Sequence, residues 1–184
     1  MSDKQTFEIS VNISWDNYYF SDTQSTWNGE TTETVEIIDG LYTYEDIISA
    51  AFTAAQDVGV FDEFEDISEE DCEYEIHIDD PDLEDLGITD AKELEEFCDV
   101  LYSKNNYYDI DVFKAAYDCD IPFEDVNEYY AGQWDDDEDF VQNLLEQTGD
   151  LPRDLPHYIH IDWRSTARDI MTDYTESNGH YFRQ

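Results

Sequence analysis

Apolar and polar residues alternate in Phe7-Glu8-Ile9-Ser10-Val11-Asn12-Ile13 and again in Cys72-Glu73-Tyr74-Glu75-Ile76-His77-Ile78. This period of two marks strands with one buried face. Thr34 to Ile38 is a third candidate strand. Helical spacing appears at Ile47, Ile48, Ala51, Phe52 and Ala55, and at Leu94, Phe97, Cys98 and Leu101 behind a cap at Thr89 or Asp90. Shorter helices are predicted around Ile110 to Tyr117 and Phe123 to Tyr130. Phe140, Val141, Leu144 and Leu145 form a further stripe, begun by an acidic run and closed by Gly149. A last helix, with Trp163, Ala167, Ile170, Met171 and Tyr174, follows an Asp162 cap. The pattern predicts an α+β fold made of three small units, which the chain's strong net charge would favour stringing out into an elongated body. These are an N-terminal mixed α/β unit over 1–80, a small helical bundle over 81–131 and a C-terminal α+β unit over 132–184, with hinges at Asp80-Pro81-Asp82 and Gly132-Gln133.

Charge changes what this fold could be for. The 184 residues include 49 Asp or Glu and only 8 Lys or Arg, a formal net charge of −41. Such a chain repels phosphate, which argues against direct nucleic-acid binding and against docking on an anionic membrane. Disorder would be the default for a self-repelling chain poor in apolar residues, but 10 Phe, 14 Tyr and 4 Trp and a hydrophobic content of 40% supply real cores. The charge is also uneven. Residues 1–152 hold 44 acids against four lysines, whereas residues 153–184 hold five acids and four arginines. The densest stretch, Asp62 to Asp99, carries 19 acids and one Lys in 38 residues. The near-neutral tail is the part that could meet a copy of itself without severe repulsion. No run approaches 18 apolar residues and no basic-then-apolar leader opens the chain, so neither secretion nor a membrane span is expected. Cys72, Cys98 and Cys119 form no C-x-x-C pair and read as reduced, mostly packed thiols in a cytosol.

Motifs for chemistry are weak. Asp135, Asp137, Asp139 and Glu146 occupy positions 1, 3, 5 and 12 of a calcium loop, but Phe140 stands at position 6, where the turn needs Gly. A calcium-binding acidic protein is therefore a minor alternative, and acids favoured by a helix dipole are the simpler reading. His157 and His160 have ligand-like spacing, and His77 lies near Cys72, without completing a metal motif. Carboxylate pairs are too numerous to point to an acid–base site. Nucleophile-elbow, Walker A and dinucleotide motifs are absent from the sequence, and the seven glycines leave little material for phosphate loops. No catalytic residue, cofactor or metal is assigned, and no enzyme activity is expected. High-salt adaptation fits poorly with a chain rich in Tyr, Phe and Ile.

Duplex DNA carries one charge per roughly 1.7 Å of axis, so a charge of −41 matches about 70 Å of duplex. The expected function is that of a DNA mimic, whose carboxylates stand in for phosphates in the basic groove of a DNA-processing enzyme. The acids expected to form its surface are Asp62, Glu63, Glu65, Asp66, Glu69, Glu70, Asp71, Glu73, Glu75, Asp79, Asp80, Asp82, Glu84, Asp85, Glu93, Glu95, Glu96 and Asp99 in the dense stretch. Asp109, Asp111, Glu124, Asp125, Glu128, Asp135, Asp136, Asp137 and Glu138 extend it.

Phe140-Val141-Gln142-Asn143-Leu144-Leu145-Glu146-Gln147-Thr148-Gly149, then Leu151-Pro152 and Leu155-Pro156, then Tyr158-Ile159-His160-Ile161-Asp162-Trp163 and Ala167-Arg168-Asp169-Ile170 resemble the C-terminal signature of ArdA antirestriction proteins. That signature runs roughly E-E-T-G, a Pro/Leu linker, Y-I-D-Y and A-R-D-L. Here Trp163 replaces its second tyrosine, and His160 and Ile161 intervene before the acid. Tyr74 to Asp80 is similar to the family's central strand and acidic turn. Over the first 60 residues the family's Gly-rich pattern is reduced to Trp27-Asn28-Gly29. The resemblance implies a non-enzymatic, elongated, three-domain homodimer from a phage or mobile element that occupies the DNA site of type I restriction-modification enzymes. It also implies a dimer contact in the C-terminal unit, for which Tyr158, Ile159, Trp163, Ala167, Arg168 and Ile170 are candidates, the apolar ones serving equally well as core. Charge alone admits another target, such as a CRISPR nuclease or a repair enzyme.

Overall fold

A computed structural model describes residues 5–19, 26–62, 64, 67–104, 106–151, 156 and 160–184. The fold is α+β, and the chain falls into two compact units, 1–110 and 111–184.

The first unit is built on a three-stranded antiparallel sheet. β1 (Phe7–Tyr19) lies between β2 (Thr26–Ile37) and β3 (Glu73–His77). Alternation along β1 puts Phe7, Ile9, Val11, Ile13 and Trp15 on the buried face, opposite Val35 and Ile37 of β2. α1 (Tyr44–Asp57) covers that face with Ile47, Ala51, Phe52 and Ala55. Trp15 meets Phe61 and Phe64 edge-on at 5.1 and 5.5 Å between ring centroids. Burial of each such side chain stabilises by about 1.5–3 kcal/mol.

α2 (Pro81–Asp85) and α3 (Ala91–Leu101) complete the unit. Asp80 caps α2 by accepting from Asp82 N–H at 2.9 Å, with Pro81 set for the first turn. Asp90 caps α3, accepting from Lys92 N–H and Glu93 N–H, both at 2.9 Å. Leu94, Phe97, Cys98 and Leu101 are buried, Phe97 against Phe7 at 6.2 Å. The Tyr102 hydroxyl donates to Gln5 C=O at 2.8 Å. Residues 81–101 thus share the core of the N-terminal sheet, and no boundary falls at the expected hinge after Asp80.

The second unit opens with α4 (Ile110–Asp118), which buries Val112, Phe113, Ala115 and Ala116. The helix expected over Phe123 to Tyr130 is instead a 3-10 turn at Phe123–Asp125, a short α5 (Val126–Tyr129) and β4 (Tyr130–Gln133). Pairing with a distant strand overrides local helical spacing here: Tyr130 opposes Phe182, with ring centroids 5.4 Å apart. Gly132, expected in a hinge, is part of this strand at φ +128°, beside a register shift. α6 (Asp137–Thr148) starts at an Asp136 cap and ends at Gly149, whose φ of 79° is the left-handed terminator the sequence implied. Asp137 to Glu146 are therefore helical, which a calcium loop would not be.

α7 (Trp163–Ile170) follows the Asp162 cap but does not run on to Tyr174. Residues Met171–Asp173 form a 3-10 turn, and Tyr174 begins β5 (Tyr174–Ser177), which turns into β6 (His180–Arg183). The sheet order is β4-β6-β5. The turn is Asn178-Gly179, at φ 51° and 81°, the two left-handed residues of a tight hairpin. Phe140 stacks on Tyr181 at 4.4 Å and meets Tyr174 edge-on at 5.0 Å, which fixes α6 on the sheet. Among the described residues, no helix is long and apolar enough to cross a membrane.

Candidate functional site

The backs of these elements carry the acid. On the outer face of the first sheet, the register sets Glu30, Ser14 and Glu73 in one row, and Thr32, Asn12 and Glu75 in the next. In the first row Glu30 and Glu73 flank the short Ser14, so these two carboxylates stand on strands about 10 Å apart at roughly 4.8 Å per strand; in the second, Glu75 is the only acid. That spacing falls between the roughly 6 Å minor and 12 Å major groove widths of B-DNA. A hydrogen-bonded line ties the strands together across this face. Thr32 Oγ1 donates to Asn12 Oδ1 at 2.6 Å, and Asn12 Nδ2 lies 3.1 Å from His77 Nε2. At the end of the sheet Glu8 stands directly opposite Glu36, a like-charge pairing that costs stability.

α3 presents a second array. Its buried stripe leaves Glu93, Glu95, Glu96 and Asp99 facing outward, half-exposed at Glu95 and exposed at the others. Four acids over 11 residues, at about 1.5 Å per residue, come to one charge per roughly 4 Å. One DNA strand carries a phosphate per roughly 3.4 Å. Lys92 pairs with Glu96 one turn on.

None of the described candidate acids is buried. Asp62, Glu70, Asp71, Glu73, Glu75, Asp79, Glu84, Asp85, Asp109, Asp111, Glu124, Glu128 and Asp135 to Glu138 are exposed, while Glu69, Asp80, Asp82 and Asp125 are half-exposed. Glu63, Glu65 and Asp66 lie outside the described residues. With 49 acids and 8 Lys or Arg, at least 41 carboxylates lack a cationic partner of their own.

The acids divide by what they touch. Asp79 accepts from Ser10 N–H (3.2 Å) and Ser10 Oγ (2.6 Å), and Asp80 accepts from Glu8 N–H at 3.1 Å. Past the end of β3 their side chains thus continue the hydrogen-bond ladder of β1. Asp71 accepts from Ser68 N–H, and Glu93 reaches back to Thr89 N–H at 2.8 Å. Asp99 accepts from the Tyr42 hydroxyl at 3.0 Å, which raises that phenol's pKa with help from burial. Asp136 caps α6, and Asp137 accepts from Tyr181 Oη at 2.9 Å. Burial, then this bond, raises the Tyr181 pKa. Glu70, Glu73, Glu84, Glu95, Asp111, Glu124, Glu128, Asp135 and Glu138 form no side-chain hydrogen bond or ion pair among the described residues.

In the C-terminal unit, α7 spends its apolar side on its own core. Ala167 is buried with Phe140, Val141 and Tyr181, and Ile170 packs on the same cluster. Trp163 is half-buried, and Arg168 is exposed with its Nε 3.5 Å from Asp169 Oδ1. Tyr158, Ile159 and His157 lie outside the described residues. A cleft of about 960 Å³ in this unit is lined by Asp135 to Glu138 and by Arg164 and Arg168, so both signs of charge meet there. The three cysteines are free thiols. Burial pushes the Cys98 thiol up to about 12, and burial also raises Cys72 and Cys119.

Density along the sequence missed part of the array. Glu8, Glu30 and Glu36 share the acidic sheet face with Glu73 and Glu75, although they precede the dense stretch. The alternation around β1 was the signal, since it turns Glu8 outward. The chain matches no family model, no curated protein and no solved structure.

Proposed function

We propose that the protein is a DNA mimic that occupies the DNA-binding groove of a type I restriction-modification enzyme in the host cytoplasm, without catalysis. The observation that carries this reading is the ordered carboxylate array on the sheet and α3. Its acids are held by regular elements, on α3 at close to the spacing of phosphates along one strand, and Glu8, Glu30, Glu36, Glu73 and Glu95 form no side-chain hydrogen bond or ion pair among the described residues. A polyacid selected only for solubility would not need Glu8 against Glu36, which costs stability. The choice of a type I enzyme rests on the ArdA-like C-terminal signature. The protein acts as a homodimer through the near-neutral tail, residues 153–184, where the exposed Arg164 and Arg168 relieve the repulsion felt elsewhere.

Competition tests it. A fluorescent duplex bound to the methyltransferase core of a type I enzyme should be displaced stoichiometrically, and displacement should weaken as salt rises. The reading fails if the protein binds the enzyme while DNA stays bound. A panel of other DNA-binding enzymes, including a CRISPR nuclease, reads target choice in the same assay, and sedimentation reads the dimer.

A further inference from the structure

Tyr107 is the most exposed large hydrophobic side chain described, at 85%. It sits in the connection between α3 and α4, on the first unit, and it forms no side-chain hydrogen bond, ion pair or aromatic ring pair among the described residues. The backbone around it is nonetheless held. Asn106 Nδ2 donates to Leu101 C=O (2.8 Å) and to Tyr108 C=O (3.2 Å), and Asn106 Oδ1 accepts from Tyr108 N–H at 2.9 Å. One side chain brackets the residue on both sides and presents the ring to solvent. Asp109 is exposed two residues on, and Lys104 is exposed three residues before.

An aromatic ring 85% exposed, with an exposed carboxylate two residues on, contributes little to the fold. It exposes apolar area, while the hydrogen bonds of Asn106 have already ordered the backbone that carries it, so a partner has only the side chain left to order. We infer that Tyr107 is an aromatic anchor for the target, docking its ring on an arginine guanidinium in the basic groove that the carboxylates enter. The inference rests on the DNA-mimic reading and deepens it: carboxylates supply attraction and fast association, and the ring supplies short-range affinity. Arginine is the cation that stacks on an aromatic face while remaining bound to neighbouring acids, here Asp109. Tyr is also enriched among the few residues that dominate interface energetics.

The test uses the full chain in the displacement assay. Tyr107→Ala should lose about tenfold in affinity for the type I enzyme, with the dependence on salt unchanged because no charge is removed. Tyr107→Phe should stay within about threefold, and Val58→Ala, at a residue 72% exposed, should match the wild type. Circular dichroism and melting of Tyr107→Ala should be unchanged, since the ring is almost wholly exposed. If the wild type displaces DNA and Tyr107→Ala does so equally well, the anchor is wrong and the mimic stands. If the wild type displaces no DNA, the mimic reading falls and the anchor with it. Loss of self-association in Tyr107→Ala, with displacement intact, would assign the ring to a second copy and overturn the inference.

Discussion

Removing acids with internal partners and removing acids without them should have opposite consequences. Glu70, Glu73, Glu84 and Glu95 have no side-chain partner among the described residues. Changing all four to Gln takes the net charge from −41 to −37 without removing a hydrogen bond from the fold. Each surface change should alter stability by at most about 0.5 kcal/mol, and relief of self-repulsion biases the sum toward stabilisation. Binding should suffer. If each carboxylate forms one exposed ion pair in the target groove, worth about 0.5 kcal/mol, the four together cost about 2 kcal/mol, or roughly 30-fold in affinity. Asp79→Ala is the converse. It deletes two acceptors of Ser10, and charge-assisted hydrogen bonds partly open to solvent should cost about 1–2 kcal/mol in stability. Its one lost charge should cost only about twofold in binding. Urea unfolding and the DNA-displacement assay, run on the same samples, read both quantities. A quadruple variant that displaces DNA as well as the wild type would refute the argument, as would one that unfolds more easily.

Two further outcomes follow from local geometry. A Cβ at Gly29 would overlap the indole of Trp15 at Cζ2 and Cε2, so Gly29→Ala should cost about 1–3 kcal/mol by displacing a core side chain, measured by thermal unfolding. The carboxyl of Asp162 is held below its ordinary 3.8 by hydrogen bonds from the Ser165 hydroxyl and amide. Its contribution is complete above that value and lost as pH falls through the depressed one, so the stability gap between wild type and Asp162→Ala should be constant from neutral pH to about pH 5 and close in stronger acid.

Much of this architecture was legible in the chain. β1, α1, α3, α4 and α6 follow from alternation, helical stripes, an Asp90 cap, the acidic run before Phe140 and the Gly149 terminator, because each signal acts within a few residues. The final hairpin was legible too: Asn178-Gly179 between Tyr174 to Ser177 and His180 to Arg183 is a strong local turn signal, which the apolar spacing running from Trp163 to Tyr174 obscures. The end of the helix at Tyr130 was not legible, since pairing with Phe182, 52 positions away in the sequence, decides it.

The magnitude of the charge, its confinement to the residues before Leu151 and its interleaving with apolar positions were set by the sequence alone, because they are sums and periods along one chain. Which acids remain available to a partner was decided only by the tertiary structure. Asp79 and Asp80 look the same as Glu73 and Glu75 in any count of acids. The first pair is turned onto the amides of β1 and the second onto the open face of the sheet. A carboxylate's role depends on whether an unpaired donor lies within hydrogen-bond reach, and strand pairing brings that donor from some seventy residues away.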